Sequence, residues 1–374
     1  MTLAPPHTFP FVSPQQTSVA DTSPRPAAVV PENLFLLNLS KREIPSLNGL
    51  RGFAAVAVVL FHYLDRWKFD QYFPAPYAVT LFFELSGLLI TWLLLTELDA
   101  NGRVDKKQFY LRRGLRLFPV FYFVWGLCRA AGPFAGSWAT FFYMGDYFHA
   151  LTQGYNILTV AWSLGVEEKF YFLWPFLLTR VQPGRLVKIC LAVLFFEPVY
   201  RAVLVFLGYP RYTWFAFDTH LDAIVLGCLL AILARRGWNP PRWLSHPLAP
   251  LGALVLIFAL QSQGDVVVYL LGVILVSSIC RPTYVLNNAL SKYLGAISYS
   301  LYLCHGYARD VIWPRLATTA HLHNTILVFV LQFALAIVFA SLLHFFVERP
   351  FLKLKNRLHK ERTSVAANRL AMPA

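Results

Sequence analysis

The first stretch of this chain that can enter a bilayer is LRGFAAVAVVLFHY, residues 50–63. Its two basic residues, Arg51 and His62, are eleven positions apart. At about 1.5 Å of rise per residue, a helix separates them by about 16 Å, roughly half of a ~30 Å hydrocarbon core. Eleven residues is also close to three turns, so both side chains project from nearly the same face. The stretch predicts a transmembrane helix with a cation at its mouth and a titratable base near mid-membrane.

The composition predicts an integral membrane protein. Of 374 residues, 57% are hydrophobic and 14% are charged, and the mean hydropathy is +0.51. A net charge of +14 could indicate a nucleic-acid partner. However, the basic residues lie in short loops between apolar runs, where they determine topology, so we expect no nucleic acid. The runs have helical lengths with little period-two alternation, which favours a helical bundle over a barrel.

We therefore predict an all-α integral membrane protein with about ten transmembrane helices in one bundle. The predicted spans are 48–66, 76–97, 115–131, 157–179, 186–207, 215–234, 247–262, 265–280, 293–313 and 324–347. Lys and Arg concentrate in the loops that lie inside when the N-terminus is inside. Both termini are therefore expected to be cytoplasmic, in a multi-pass protein of the lipid bilayer, and we expect a bacterial inner membrane.

Two tails flank the transmembrane domain, which we place at residues 44–355. Residues 1–43 are rich in Pro, Ser and Thr without a signal-like start, and are expected to form a disordered cytoplasmic tail. Residues 356–374 are expected to form a basic cytoplasmic tail. The five cysteines are odd in number and lack C-x-x-C spacing, so we predict buried thiols rather than disulfides or a zinc site.

Inserting an ionisable residue into the membrane within an apolar span costs about 2.5–3.5 kcal/mol, so each such residue is a candidate for a specific role. His62 is either a neutral imidazole hydrogen-bonded within the bundle or a general base or nucleophile. Arg51 on the same face favours the functional alternative, although an arginine at a helix end can also snorkel to the interface.

An arginine cluster, Arg112, Arg113 and Arg116, stands at the start of the third predicted span. Arg113 and Arg116 share a helix face, as do Arg112 and Arg116, and like charges so placed repel. An anionic guest such as a phosphate explains them better than helix stability does, because guanidinium groups bind phosphate bidentately. Anchoring at the inner leaflet is the alternative.

Acidic residues also interrupt the spans. In WSLGVEEKFY, residues 162–171, Lys169 could neutralise Glu168, which leaves Glu167 to orient His62 or hold its charged form. Glu84 in the second span is equally unexpected. Asp218, His220 and Asp222 have a spacing that could indicate a metal site, but this spacing is common. His305 lies about 18 Å into the ninth span. Glu348 is expected to pair with a basic residue.

Taken together, these motifs resemble the membrane-bound acyltransferase-3 family over residues 44–355. The matching stretches, in order, are 47–52 with His62, FFELSG at 82–87, RRGLRLFP at 112–119, WSL at 162–164 through Glu167, LDA at 221–223, GAISYSLYLCH at 295–305 and VERP at 347–350. Three positions depart from the family pattern: Glu84, His220 and Gly306. We expect a stand-alone form, without the esterase-like domain fused to some members.

The resemblance implies an O-acyltransferase that takes an acyl group, commonly acetyl, from cytoplasmic acyl-CoA. The implied acceptor is a hydroxyl of a glycan, a glycolipid or a secondary metabolite, and no metal is expected. By position, His62 and Glu167 are the implied catalytic residues, and Arg51, Arg113 and Arg116 the implied CoA ligands. Glu84, Trp162, Asp222 and His305 are expected to bind substrate. The competing hypothesis is a proton-coupled transporter or flippase for a polar or lipid-linked solute, which also needs ionisable residues in the membrane.

Overall fold

A computed structural model describes residues 33–64, 76–260, 264–317 and 325–358 of the chain. Every regular element in these ranges is helical, which confirms the predicted all-α class. The α-helices are α1 Leu34–Leu39, α2 Leu47–Leu64, α3 Pro76–Asn101, α4 Lys106–Ala131, α5 Ser137–Phe141, α6 Gly145–Leu151, α7 Trp162–Arg180, α8 Pro183–Phe206, α9 Pro210–Phe215, α10 Leu221–Arg235, α11 Ala249–Ala259, α12 Gly264–Cys280, α13 Tyr284–Asn287, α14 Ala289–Tyr307, α15 Trp313–Ala317 and α16 Thr325–Leu343.

A helix lies on each of the ten predicted spans, and the apolar helices are those of a membrane protein. By length and composition, four helices in the described ranges could cross a bilayer: Leu47–Leu64, Pro76–Asn101, Pro183–Phe206 and Ile326–Leu358. The apolar helices α11 and α12 are shorter, with 11 and 17 residues. The number of spans and the cytoplasmic termini therefore stay predictions.

Two helix starts differ most from the sequence prediction. Helix α4 begins at Lys106 rather than near 115, because the Asp105 side chain caps it by accepting a hydrogen bond from Gln108 N. The arginine cluster therefore lies within a helix. Helix α10 begins at Leu221 rather than 215, after the short helix α9 and a turn at Phe217–Thr219. His220 consequently precedes α10 instead of lying inside a transmembrane helix.

Ordered structure extends into both predicted tails. Residues 1–32 and 359–374 lie outside the described ranges. Helix α1, which ends before residue 43, buries the Phe35 side chain, and Asn38 Nδ2 donates to Ile279 O of α12 at 2.7 Å. At the other end, the helix Ile326–Leu358 passes the predicted boundary at 355. The transmembrane core thus holds short additional segments at both ends.

The outer surface of the bundle is apolar, as contact with lipid requires. Helix α8 exposes Phe195, Phe196 and Phe206 by 68%, 62% and 90%, which would be unfavourable in water but costs nothing against acyl chains. Inside the bundle, the predicted buried thiols are confirmed, because all five cysteines are free and buried: Cys128, Cys190, Cys228, Cys280 and Cys304.

Two helix crossings at glycine position the interior. A Cβ atom on Gly227 of α10 would lie 2.0 Å from Glu84 O of α3, and one on Gly295 of α14 would lie 2.1 Å from Asn48 O of α2. Only residues without a side chain let two backbones approach this closely, as is common between transmembrane helices. The α2–α14 crossing matters most for function, because it places His62 and His305 on neighbouring helices.

Replacing Gly227 with alanine is expected to lower the free energy of unfolding by about 1–3 kcal/mol, because the new methyl group meets backbone that can only shift. A thermal denaturation curve in detergent checks this. Gly252→Ala is the matched control, since a Cβ atom on that helical glycine of α11 meets nothing within 4 Å. Equal melting temperatures for the two variants would contradict the close crossing.

Candidate active site

Two histidine rings form the centre of the site. His62 lies in the last turn of α2, and His305 lies near the end of α14, with ring centroids 5.0 Å apart. His305 is only 1% exposed, whereas His62 is partly buried. His62 lies near the end of α2 as described, and its depth in the membrane stays a prediction.

Backbone carbonyls set the tautomer of both rings. His62 Nδ1 lies 2.8 Å from Val58 O, and His305 Nδ1 lies 2.8 Å from Tyr302 O. A carbonyl oxygen can only accept, so each Nδ1 carries the proton and each neutral ring keeps its lone pair on Nε2. Both Nε2 atoms can therefore accept a proton or a hydrogen bond, which is the property that a general base needs.

Both histidines line a cavity of about 1060 Å³. Trp162, a predicted substrate-binding residue, also lines it, and its ring lies 5.0 Å from that of His220 and 5.5 Å from that of Phe215. Most of the lining is apolar and aromatic, interrupted by a few charged groups, which is typical of small-molecule sites. In the predicted topology the loops that border this cavity lie on the outer side.

The three predicted CoA ligands lie together, away from the histidines. Arg51 is four residues into α2, and its charge acts on Arg113 and strongly on Arg116 of α4. Among the described residues none of the three makes an ion pair, and the buried Nε atoms of Arg51 and Arg113 have no hydrogen-bond partner. Arg112, by contrast, pairs with Glu97 at 3.1 Å.

Glu167 belongs to the arginine cluster and not to His62. Ser86 donates to its Oε1 at 2.8 Å and Tyr171 donates to its Oε2 at 2.9 Å. Arg113 stacks on the Tyr171 ring at 3.6 Å, and Glu167 acts electrostatically on Arg51. The expectation that Glu167 orients His62 is therefore wrong, because the Val58 carbonyl binds the Nδ1 atom that an orienting carboxylate would bind.

The expected neutralisation of Glu168 by Lys169 is also wrong. Lys169 Nζ donates to Asp146 Oδ1 and to Tyr143 O, both at 2.8 Å, and Asp146 is fully buried. Adjacent residues on a helix point about 100° apart, so Glu168 and Lys169 cannot face the same space. Among the charged groups around Glu168, Arg113 has the largest electrostatic effect on it.

Asp218 and Asp222 hold separate partners, so the possible metal trio does not converge. Asp218 accepts hydrogen bonds from three tyrosine hydroxyl groups, on Tyr147, Tyr200 and Tyr212. Asp222 Oδ2 lies 2.5 Å from Arg201 Nη2 of α8. Asp222, expected to bind substrate, does line the cavity, together with His220.

The other two acidic positions lie outside the cavity wall. Glu84 is completely buried where α3 crosses α10, and neither of its carboxylate oxygens has a hydrogen-bond partner among the described residues. Glu348 accepts from Ser300 at 2.8 Å and lies 3.0 Å from His344 Nδ1. The predicted pairing of Glu348 with a basic residue is thus confirmed.

Four charged residues that line the cavity were not predicted from the sequence: Arg201, Asp265, Arg309 and Asp310. Arg201 lies inside the fifth predicted span, so the rule that selected Glu84 could have selected it. Arg309 Nη1 donates to His62 O at 2.6 Å, a contact that no local spacing reveals.

Comparison with known proteins identifies the class. A family model described as an acyltransferase domain matches residues 44–345, more than half of the chain. The chain therefore belongs to the acyltransferase-3 family.

Individual relatives are O-acetyltransferases by name. The peptidoglycan O-acetyltransferase OatA of Listeria monocytogenes is 29% identical over 84% of this chain and 56% of its own length. The putative peptidoglycan O-acetyltransferase YrhL of Bacillus subtilis is 27% identical over 83% of this chain and 55% of its length. The chain thus spans little more than half the length of these curated relatives. No solved structure matches it.

Proposed function

We propose that this protein is a membrane-bound O-acyltransferase that moves an acetyl group from cytoplasmic acyl-CoA to a hydroxyl of a glycan, a glycolipid or a small metabolite. The observation that carries the proposal is the pair formed by His62 and His305, 5.0 Å apart in the wall of a large cavity. Relatives that act on peptidoglycan, by name, support a glycan as the acceptor class.

The CoA phosphates bind at the arginine cluster in this proposal. Arg51, Arg113 and Arg116 bring three positive charges together. The buried Nε atoms of Arg51 and Arg113 have no hydrogen-bond acceptor among the described residues. Arg51 and His62 lie about 16 Å apart along α2, a distance comparable with an extended pantetheine arm. The thioester can then reach the histidines while the nucleotide stays at the inner side.

Transfer follows from the tautomer of His62. Its Nε2 accepts the proton of the acceptor hydroxyl as the oxygen attacks the thioester carbonyl. The carbon–sulfur bond breaks, the CoA thiolate leaves, and the imidazolium returns the proton to that sulfur. Glu167 accepts a hydrogen bond from Tyr171, and the Tyr171 ring stacks against Arg113. Glu167 therefore contributes to catalysis by positioning a residue that binds the acyl donor.

Labelled acetyl-CoA added to proteoliposomes tests the proposal against the transport hypothesis. With peptidoglycan fragments or alkyl glucosides as acceptors, we expect label in an ester that mild base removes. Vesicles containing the purified protein but given labelled acetate in place of acetyl-CoA are the control. Movement of an acceptor across the bilayer without CoA, and no labelled ester, would overturn the proposal.

A further inference from the structure

One wall of the cavity carries more negative than positive charge. Arg201 of α8 and Asp222 of α10 line it with Asp265 of α12, and the histidine pair lines the same cavity. Building on the proposed function, we infer that the acyl acceptor carries a protonated amine, which binds at Asp222 and Asp265 while its reacting hydroxyl lies at His62 and His305.

The guanidinium group of Arg201 contacts three carboxyl groups beside this wall. Arg201 Nη2 lies 2.5 Å from Asp222 Oδ2, Nε donates to Asp265 Oδ1 at 3.0 Å, and Nη1 lies 3.4 Å from Glu197 Oε1. Arg201 and the two aspartates that line the cavity, Asp222 and Asp265, together carry one excess negative charge. A cation in the adjoining cavity is the natural counter-charge.

The other charges on the cavity lining do not remove this excess. Arg309 donates to both carboxylate oxygens of Asp310, at 2.7 and 3.0 Å, so that pair is neutral. The wall at Arg201 therefore determines the sign of the charge that the cavity favours.

An independent feature of the cavity favours a ligand with a hydroxyl group. His305 is 99% buried, lines the cavity, and its Nε2 has no hydrogen-bond partner among the described residues. An unpaired buried acceptor is unfavourable unless a ligand donates a hydrogen bond to it. Aromatic rings in the cavity lining, among them Phe83 and Trp162, suit the face of a sugar ring and also attract a cation.

Binding of two matched probes to the purified full-length protein in nanodiscs, without acyl-CoA, tests the inference. Aminoethyl β-D-glucoside carries an ammonium group where hydroxyethyl β-D-glucoside carries a neutral hydroxyl. Calorimetry is expected to give about tenfold tighter binding for the amine, as one added charged hydrogen bond provides. Equal affinities, or tighter binding of the neutral probe, would overturn the inference.

The Asp265→Asn variant locates the effect. The Asp265 side chain is 49% exposed, so this change should leave the fold intact. We expect it to remove most of the preference for the amine and to leave binding of the neutral probe unchanged. Asp105→Asn is the matched control, because it makes the same charge change at the cap of α4, where asparagine also caps.

A uniform loss of affinity for both probes in Asp265→Asn would contradict a charge-specific role. The binding experiment contains no acyl donor, so its result is separate from the transfer assay. A preference for the amine without labelled ester would defeat the proposed function alone. Labelled ester on both glucosides with equal efficiency, together with equal binding, would defeat only the inferred acceptor charge.

Discussion

Replacing His62 with alanine is expected to reduce acyl transfer by about a hundredfold to ten-thousandfold while the protein stays folded. That range is the usual contribution of a general base. His62 lies in the last turn of α2 and is partly buried, so truncation opens the cavity wall without removing a core side chain.

The measurement is single-turnover transfer from labelled acetyl-CoA, with CoA affinity and melting temperature recorded on the same sample. His246→Ala is the matched control, since His246 is exposed in the segment between α10 and α11. Near-normal transfer by His62→Ala would contradict the assignment of the base. Loss of both transfer and CoA binding would place His62 in the donor site instead.

Replacing Arg113 with alanine is expected to raise the Kd for CoA by about tenfold to a hundredfold. Hydrogen bonds to charged groups contribute about 1.5–3 kcal/mol each, and Arg113 presents its guanidinium beside Arg116. Stacking on Tyr171 holds the group in place, so its loss removes an organised phosphate ligand rather than a mobile charge.

Comparison of CoA with 3′-dephospho-CoA refines this test. If Arg113 binds the 3′-phosphate, the variant should bind both compounds with nearly equal affinity, whereas the unaltered protein should prefer CoA. Arg129→Ala is the control, because Arg129 is an exposed arginine in the last turn of the same helix. An unchanged Kd for CoA in Arg113→Ala would exclude phosphate binding at this position.

Much of the fold could be predicted because it depends on local chemistry. Long apolar runs predict helices, and a helix lies on every one of the ten runs. Helix starts were less accurate where a side chain decides them, as at the Asp105 cap of α4. The glycine crossings, by contrast, depend on which helices meet, and periodicity along one helix carries no information about its neighbour.

The candidate site was predictable in its parts but not in its arrangement. Unusual ionisable residues in apolar spans correctly marked the histidines and arginines that the structure brings together. Partners could not be assigned in the same way: Glu167 binds Ser86 and Tyr171, and Lys169 binds Asp146. The contacts of Glu167 with Ser86 and of Lys169 with Asp146 join residues from different helices. They depend on helix rotation and on competition among several possible partners.

The sequence by itself determined that Arg51 and His62 lie about 16 Å apart on one helix, because helical rise and periodicity are local properties of the backbone. It also determined the membrane character of the chain, because composition sets the solvent that the surface prefers. Only the tertiary structure decided that His305 lies beside His62 and that Arg201 contacts acidic residues of α8, α10 and α12. Those juxtapositions arise from packing between helices distant in the chain, which determines what each side chain can reach.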